Sequence, residues 1–399
     1  MSFSAPSTPS PQSVPRKIYL ETTTRCNLRC RMCLKYAQGS CIEEGDLDMA
    51  LFRHLLPSLR HTHFLVLNGL GEPLLHPHLV AMIIQARAVM PAQGKIGFQS
   101  NGLLLDAAMA DRLLQAGLDT VCLSLDSLEP MQGGEHQFSP VERAISCLHH
   151  ASRVHRSPVS IGIEVVLRRT TVQELPRIID WAAERGVDSI IASHLFSYDG
   201  FLREEGLFTP CSAEAAALYG KWSTIAQAQG LSMADFLTVP IKFKKSEADW
   251  RLLGLGTAMH LEARERNISL HLPNLLQPVT ANVDDLEALW QQAASLAQQR
   301  SIRLTLPPLR APADDRRSCP FMEEQAVFIA SNGDVMPCHF LWHTYACMVN
   351  RTSVQVQARS FGNIGETPLE QIWRQAHYAA FRTEAAGSDY APCWNCSSG

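Results

Sequence analysis

From Arg16 onward, short apolar runs alternate with amphipathic stretches. KIYLETT (Lys17 to Thr23) reads as a strand, residues 48–60 as a helix, and FLVLNG (Phe64 to Gly69) as a strand stopped by glycine. A helix over 76–90 follows, then the strand KIGFQSNG ending at Gly102, then DAAMADRLLQAG as a helix closed by Gly117. DTVCLSLD, a helix over 140–155, VSIGIEVVL with Arg168 just past its end, a helix closed by Gly186, and DSIIASHL complete the series. Six strand–helix units predict a parallel sheet with right-handed crossovers. The expected class is α/β, a partial (β/α)6 TIM-like barrel whose site lies at the C-terminal strand ends.

The rhythm loosens after DSIIASHL and returns only with LEALWQQAASLAQQRSIRLTL. The predicted organisation is a flexible tail over 1–15, the barrel over 16–196, and a mainly helical insert over 197–281. A last helix–strand unit over 282–310 and a small C-terminal domain over 311–399, set off by PPLRAPADD, complete it. The chain has 399 residues, a 46% hydrophobic fraction and a 19% charged fraction, which fits globular domains and not compositional disorder. A formal net charge of −4 gives no general nucleic-acid or anionic-membrane footprint. No apolar run reaches membrane-spanning length, and the Ser/Pro-rich start lacks the apolar core of a secretory signal. The expectation is therefore a cytoplasmic protein without nucleic-acid or membrane partners, whose twelve cysteines serve metals better than disulfides.

Three of these cysteines stand directly after the first strand. TTTRCNLRCRMC places Cys26, Cys30 and Cys33 in a CxxxCxxC spacing. Three thiolates within eight residues can wrap one face of a cubane cluster and leave its fourth iron open to a substrate or cofactor. Structural zinc ordinarily takes four ligands in paired CxxC units, and Cys41 makes a poor fourth. In the C-terminal segment, Cys319 and Cys338 flank two strand-like runs joined at Gly333 and Asp334, and CWNC adds Cys393 and Cys396. By spacing alone this quartet could close a second 4Fe–4S cluster or a zinc site.

The first cysteine segment resembles the signature of the radical S-adenosylmethionine (SAM) superfamily. The resemblance covers roughly residues 16–195. It implies that the open iron chelates SAM, and that one electron from the reduced cluster cleaves SAM to a 5′-deoxyadenosyl radical. That radical abstracts a substrate hydrogen. The resemblance also implies SAM contacts at Gly69, Gly71 and Glu72 in NGLGEP, where this chain has Leu70 inside a GGE-like segment, and at Ser100 and Asn101 in FQSNG. Ser124 and Asp126 in CLSLDS continue that series, and Arg168 is a further candidate.

GDVMPC followed by FGNIGETPLEQIW resembles the auxiliary-cluster domains of that superfamily, the SPASM and twitch types. This implies one auxiliary 4Fe–4S cluster on Cys319, Cys338, Cys393 and Cys396, the single-cluster form being expected because the sequence stops three residues after Cys396. Cys347 is a candidate for exchange into that cluster, and Cys41, Cys122, Cys147 and Cys211 are expected to lie outside both. His339 stands where sulfatase-maturing relatives have an Asp, and is the candidate catalytic base. His343 would share a face with it if HFLWH were helical, and His194 is a candidate substrate contact.

The implied function is modification or maturation of a peptide or protein, such as a ribosomal peptide or a metalloenzyme, with flavodoxin or ferredoxin as electron donor. The alternatives are a small-molecule radical SAM dehydrogenase of the twitch type and a non-catalytic iron–sulfur electron carrier. Iron analysis of anaerobically reconstituted protein separates the two readings of the C-terminal quartet. About eight irons per chain is the expected result; about four with one zinc would remove the second cluster.

Overall fold

The computed structural model describes residues 14–386 except 38, 130–137, 199–201, 203, 277–282, 312–318 and 350–351, together with Cys396. Six strands follow in chain order: β1 (Lys17–Leu20), β2 (Phe64–Leu67), β3 (Lys95–Ser100), β4 (Thr120–Ser124), β5 (Ser160–Leu167) and β6 (Ser189–His194). Between them run five helices: α1 (Met49–Leu59), α2 (Leu79–Val89), α3 (Ala107–Gln115), α4 (Phe138–His155) and α5 (Leu175–Glu184). Each strand pairs parallel with the next, and β7 (Arg303–Thr305) extends the sheet beyond β6. This is an α/β fold on a mostly parallel sheet.

Period-two alternation decides what each face of the sheet carries. Ile18 and Leu20, Leu65 and Leu67, Val121 and Leu123, and Ile161 and Ile163 point into one contiguous core. Phe52, Met82, Ile83, Leu113, Leu148 and Ile179 meet them from the helices. On the other face, Tyr19 of β1 packs with Phe328, and polar side chains stand over β2, β3 and β5. Asn68 Nδ2 donates to Gln99 Oε1 at 2.6 Å, and the Gln99 amide contacts the Glu164 carboxylate.

Local chemistry fixes the helix starts. Asp48 and Asp106 cap α1 and α3 by accepting the amides of Ala50 and Met109. Asp119, just before β4, accepts the amide of Ile96 (2.8 Å) and pairs with Arg87 and Lys95, tying β3, β4 and α2 together at the strand starts.

The insert region carries helices Ala213–Ala228 and Glu247–Glu265, the second opened by a Ser246/Asp249 capping box. They close on a core of their own that includes Leu218, Met233, Leu252 and Met259. Gly256 is required there, since a Cβ would stand 1.9 Å from the Phe236 ring. No helix among the described residues is long and apolar enough to cross a membrane.

The C-terminal segment adds strands to the same sheet. Its strand β8 (Ala326–Ile329) pairs parallel with β1, from Lys17↔Ala326 to Leu20↔Ile329, and turns at Gly333 into β9 (Val335–Met336). The sheet order is β7-β6-β5-β4-β3-β2-β1-β8-β9. β1 would otherwise be an exposed edge, and β8 satisfies its unpaired backbone groups. A separate hairpin of β10 (Tyr345–Val349) and β11 (Thr352–Val356) follows.

Phe52 on α1 is fully buried beneath the strands that carry the first cysteine loop. Phe52→Ala is expected to destabilise the fold by about 3–5 kcal/mol, read as a lowered thermal unfolding midpoint. An unchanged midpoint would show that this core does not support the sheet.

Candidate functional site

Past β1 the chain enters a buried threonine run in which the Thr23 and Thr24 hydroxyls are claimed locally, while the Thr22 hydroxyl has no hydrogen-bond partner among the described residues. Thr23 Oγ1 donates to Asp46 Oδ1 (2.7 Å) and Thr24 Oγ1 to the Glu43 carbonyl (2.8 Å). The Arg25 guanidinium forks onto Asp46 at 3.0 and 2.5 Å, and Lys35 Nζ reaches the Thr24 carbonyl at 2.8 Å. The segment from Thr22 to Leu47 is thereby strapped over the C-terminal end of β1.

Cys30 lies buried inside this strap, with Cys26 and Cys33 half-buried beside it. A Cys33 N–H to Cys30 carbonyl bond of 3.0 Å closes the turn between two of them. Burial pushes the Cys26 and Cys33 thiols above their ordinary range, and the neighbouring thiols push further: Cys30 acts on both. Two amides relieve the sulfurs, Leu28 N–H at 3.4 Å from Cys26 Sγ and the Lys35 N–H on Cys33.

This donor set fits an iron–sulfur cluster. The thiols lie near enough to disfavour one another's ionisation, yet no three His, Cys, Asp or Glu side chains among the described residues converge as one ion would need. A cluster that gives each thiolate its own iron matches that wider spacing better than a lone zinc does.

The GGE-like segment runs along the same strap. Gly71 N–H donates to the Thr23 carbonyl (3.1 Å) and Glu72 N–H to the Arg25 carbonyl (2.8 Å). A Cβ at Gly71 would fall 2.3 Å from the Thr23 oxygen, and one at Gly69 2.3 Å from Glu21 Cγ. Within the chain, Gly71 therefore approaches the cysteine strap and Gly69 approaches Glu21 just before it.

Glu72 is buried and receives Leu74 N–H (3.1 Å), Ser100 Oγ–H (2.8 Å) and Asn101 N–H (2.9 Å). Asn101 Nδ2 in turn donates to Asn27 Oδ1 at 2.8 Å, inside the cysteine loop. Asp126 is buried and accepts Val166 N–H at 2.9 Å, while Ser124 is half-buried at the end of β4, opposite Glu164 of β5. Arg168 is buried just past β5. Glu72, Ser100 and Asn101 thus join the β2 and β3 ends to the cysteine loop in one network, while Asp126 separately ties the β4 end to β5 beside Ser124.

Three C-terminal thiols also gather. Burial raises both Cys319 and Cys338, and Cys396 adds to each. Amides of Met322 and Phe321 point at Cys319, and those of Leu341 and Phe340 at Cys338, the kind of N–H shell that tunes cluster sulfurs. Cys393 lies outside the described residues. Cys347 is buried on β10 with its thiol pushed up to about 11.

Two buried-side tyrosines lie between the sets. Tyr198 feels Cys33 and Cys347, Tyr345 feels Cys338 and Cys396, and their rings are 5.7 Å apart.

The conditional pairing of His339 and His343 on one helical face does not arise. HFLWH is a series of bends and not a helix, so His339 and His343 share no helical face. His339 is walled by Tyr19, Phe321, Phe328 and Trp342, at ring separations of 4.6 to 5.2 Å, and burial drives its pKa down to about 3. So reluctant a ring is a poor general base near neutrality. His194 Nε2 meets the Pro308 carbonyl at 2.6 Å. His343 Nε2 lies 3.3 Å from Glu21 Oε1. Glu21 itself, a charged residue at the end of an apolar strand run, is the site residue that sequence reading passed over.

The model of the radical SAM superfamily matches residues 20–191, and that of the SPASM iron–sulfur cluster-binding domain matches residues 319–397. A tungsten-containing aldehyde ferredoxin oxidoreductase cofactor-modifying protein of Pyrococcus furiosus is 26% identical over 391 residues, covering 95% of this chain and 86% of that protein. A PqqA peptide cyclase of Xanthomonas campestris is 28% identical over 234 residues, covering 56% of this chain and 59% of the cyclase. Among solved structures, Streptococcus suis SuiB bound to S-adenosylmethionine shares the fold, with a TM-score of 0.56 at 15% identity over 93% of this chain and 68% of SuiB.

The thiol environments predict an order of alkylation in the metal-free protein. At pH 7.5 iodoacetamide should label exposed Cys41 ahead of Cys26 and Cys33, whose raised pKa keeps them protonated. Because those pKa values are raised, labelling of Cys26 and Cys33 should climb as pH passes the ordinary thiol range. Peptide mass spectrometry reads the order, and equal rates at all three would contradict the burial described.

Proposed function

Because this chain belongs to the radical SAM superfamily and carries a SPASM domain, we propose that it is a maturation enzyme removing a hydrogen from a peptide or protein. One observation carries the reading: three thiols, Cys26, Cys30 and Cys33, gathered in one partly buried loop past the C-terminal end of β1, with the ionisation of Cys26 and Cys33 disfavoured by burial and by their neighbours. We assign them as the ligands of the SAM-binding 4Fe–4S cluster. Bound together, cluster and SAM supply one-electron cleavage and a radical able to take a substrate hydrogen, while an auxiliary cluster supplies an electron acceptor.

The chain's own residues hold and orient. The amides of Leu28 and Lys35 steady the Cys26 and Cys33 sulfurs. Glu72, Ser100 and Asn101 keep the β2 and β3 ends at fixed distance from the cysteine loop, leaving the backbone of Gly69 to Gly71 and the Ser124 hydroxyl to face SAM. Asp126 fixes the β4 end against β5. Cys319, Cys338 and Cys396, with Cys393, are assigned to the auxiliary cluster. His339 packs in its aromatic wall, where burial disfavours the protonated ring.

A peptide or protein client is supported by the relatives. The Pyrococcus protein, similar along nearly the whole chain, is named for cofactor modification of another enzyme, and the Xanthomonas relative for cyclising a peptide. A flavodoxin or ferredoxin is the proposed electron donor, and the cytoplasm, where thiols stay reduced, the proposed location.

Anaerobically reconstituted protein given dithionite and SAM should release 5′-deoxyadenosine, and Cys30→Ala should release none. If wild type carries its iron and also releases none, the radical reading is wrong.

A further inference from the structure

Glu21 follows the last residue of β1, and its side chain is fully buried. Oε1 accepts Leu70 N–H at 3.2 Å and lies 3.3 Å from His343 Nε2. Oε2 accepts both the N–H and the Oγ–H of Ser331, each at 3.2 Å. One carboxylate thus meets four donors from three segments, two of them more than 300 residues away in sequence. The aliphatic part of the side chain also backs directly onto Gly69, where a Cβ would fall 2.3 Å from Glu21 Cγ.

The chemistry of this node is one-sided. A buried carboxylate is tolerated when donors surround it, and here every partner donates. A carboxamide has the same shape but turns one oxygen into a donor. Whichever way it sits, two of the four donors then face an N–H₂ group.

We propose that Glu21 is a positioning residue that couples the Gly69–Glu72 segment to the C-terminal domain. Leu70 and His343 are held together on Oε1 of the carboxylate while Ser331 is held on Oε2. Displacing the C-terminal loops therefore loosens the glycine segment through the carboxylate that the two share. The functional consequence rests on the reading of Gly69 to Gly71 as the SAM-facing backbone. The coupling itself does not.

Hydrogen exchange on the full chain tests the coupling without any cofactor. His343→Leu, made in the C-terminal domain, should speed exchange of the Leu70 amide about tenfold, the effect of losing one hydrogen bond to a charged group. Glu21→Gln should speed it at least as much, and the double variant no more than Glu21→Gln alone. Unchanged exchange at Leu70 in His343→Leu, or additive effects in the double variant, would overturn the proposal. Ser331→Ala gives the same reading from the other oxygen should Glu21→Gln fold poorly.

SAM binding to reconstituted protein, by equilibrium dialysis, provides the second readout. His343→Leu should weaken SAM binding while iron content stays at the wild-type level. Coupled exchange in a wild type that binds no SAM would sink the SAM reading and leave the coupling standing.

Discussion

At one strand end the Cys26 and Cys33 thiols, partly drawn out of water beside Cys30, resist ionising, and the structure around them answers that constraint. Burial and mutual repulsion both hold protons on Cys26 and Cys33, so the site is at ease only when a cationic cluster takes the protons' place. Everything nearby steadies that arrangement. Asp46 pins Thr23 and Arg25, Lys35 ties its own loop to the Thr24 carbonyl, and the Gly71 and Glu72 amides close onto the strap from β2.

The sheet supplies the other half of the constraint. Its apolar face is buried against five helices, which leaves the other face and the C-terminal strand ends to carry chemistry. Glu72 and Asn101 turn three separate strand ends into a single frame around the cysteine loop. β8 brings the C-terminal cysteines to the same sheet by pairing with β1, the strand that leads into the first cysteine loop. The two thiol sets are therefore connected through one strand pair, through Glu21, and through the Tyr198–Tyr345 contact.

What the sequence made legible was local. The CxxxCxxC spacing and the glycine-stopped apolar runs declare a cysteine loop after a first parallel strand, because both depend on neighbours a few residues apart. The docking of β8 against β1 depends on edge satisfaction between segments more than 300 residues apart, and period-two patterning says nothing of the partner. Gly69 and Gly71 were legible as close-approach positions, but not that Glu21 and Thr23 are what they approach. His339 illustrates the same limit. A histidine after Pro-Cys looks like available chemistry, and only the packing of four aromatic rings reveals how little it is inclined to accept a proton.

The central claim is that Cys26, Cys30 and Cys33 leave one iron open to SAM. Electron paramagnetic resonance on dithionite-reduced protein tests it most directly, with Cys338→Ala and Cys396→Ala removing the auxiliary signal. Addition of SAM should shift the g values of the remaining cluster, as direct ligation demands. A spectrum indifferent to SAM would mean that the three-thiol cluster is closed, and the account of this site would fail with it.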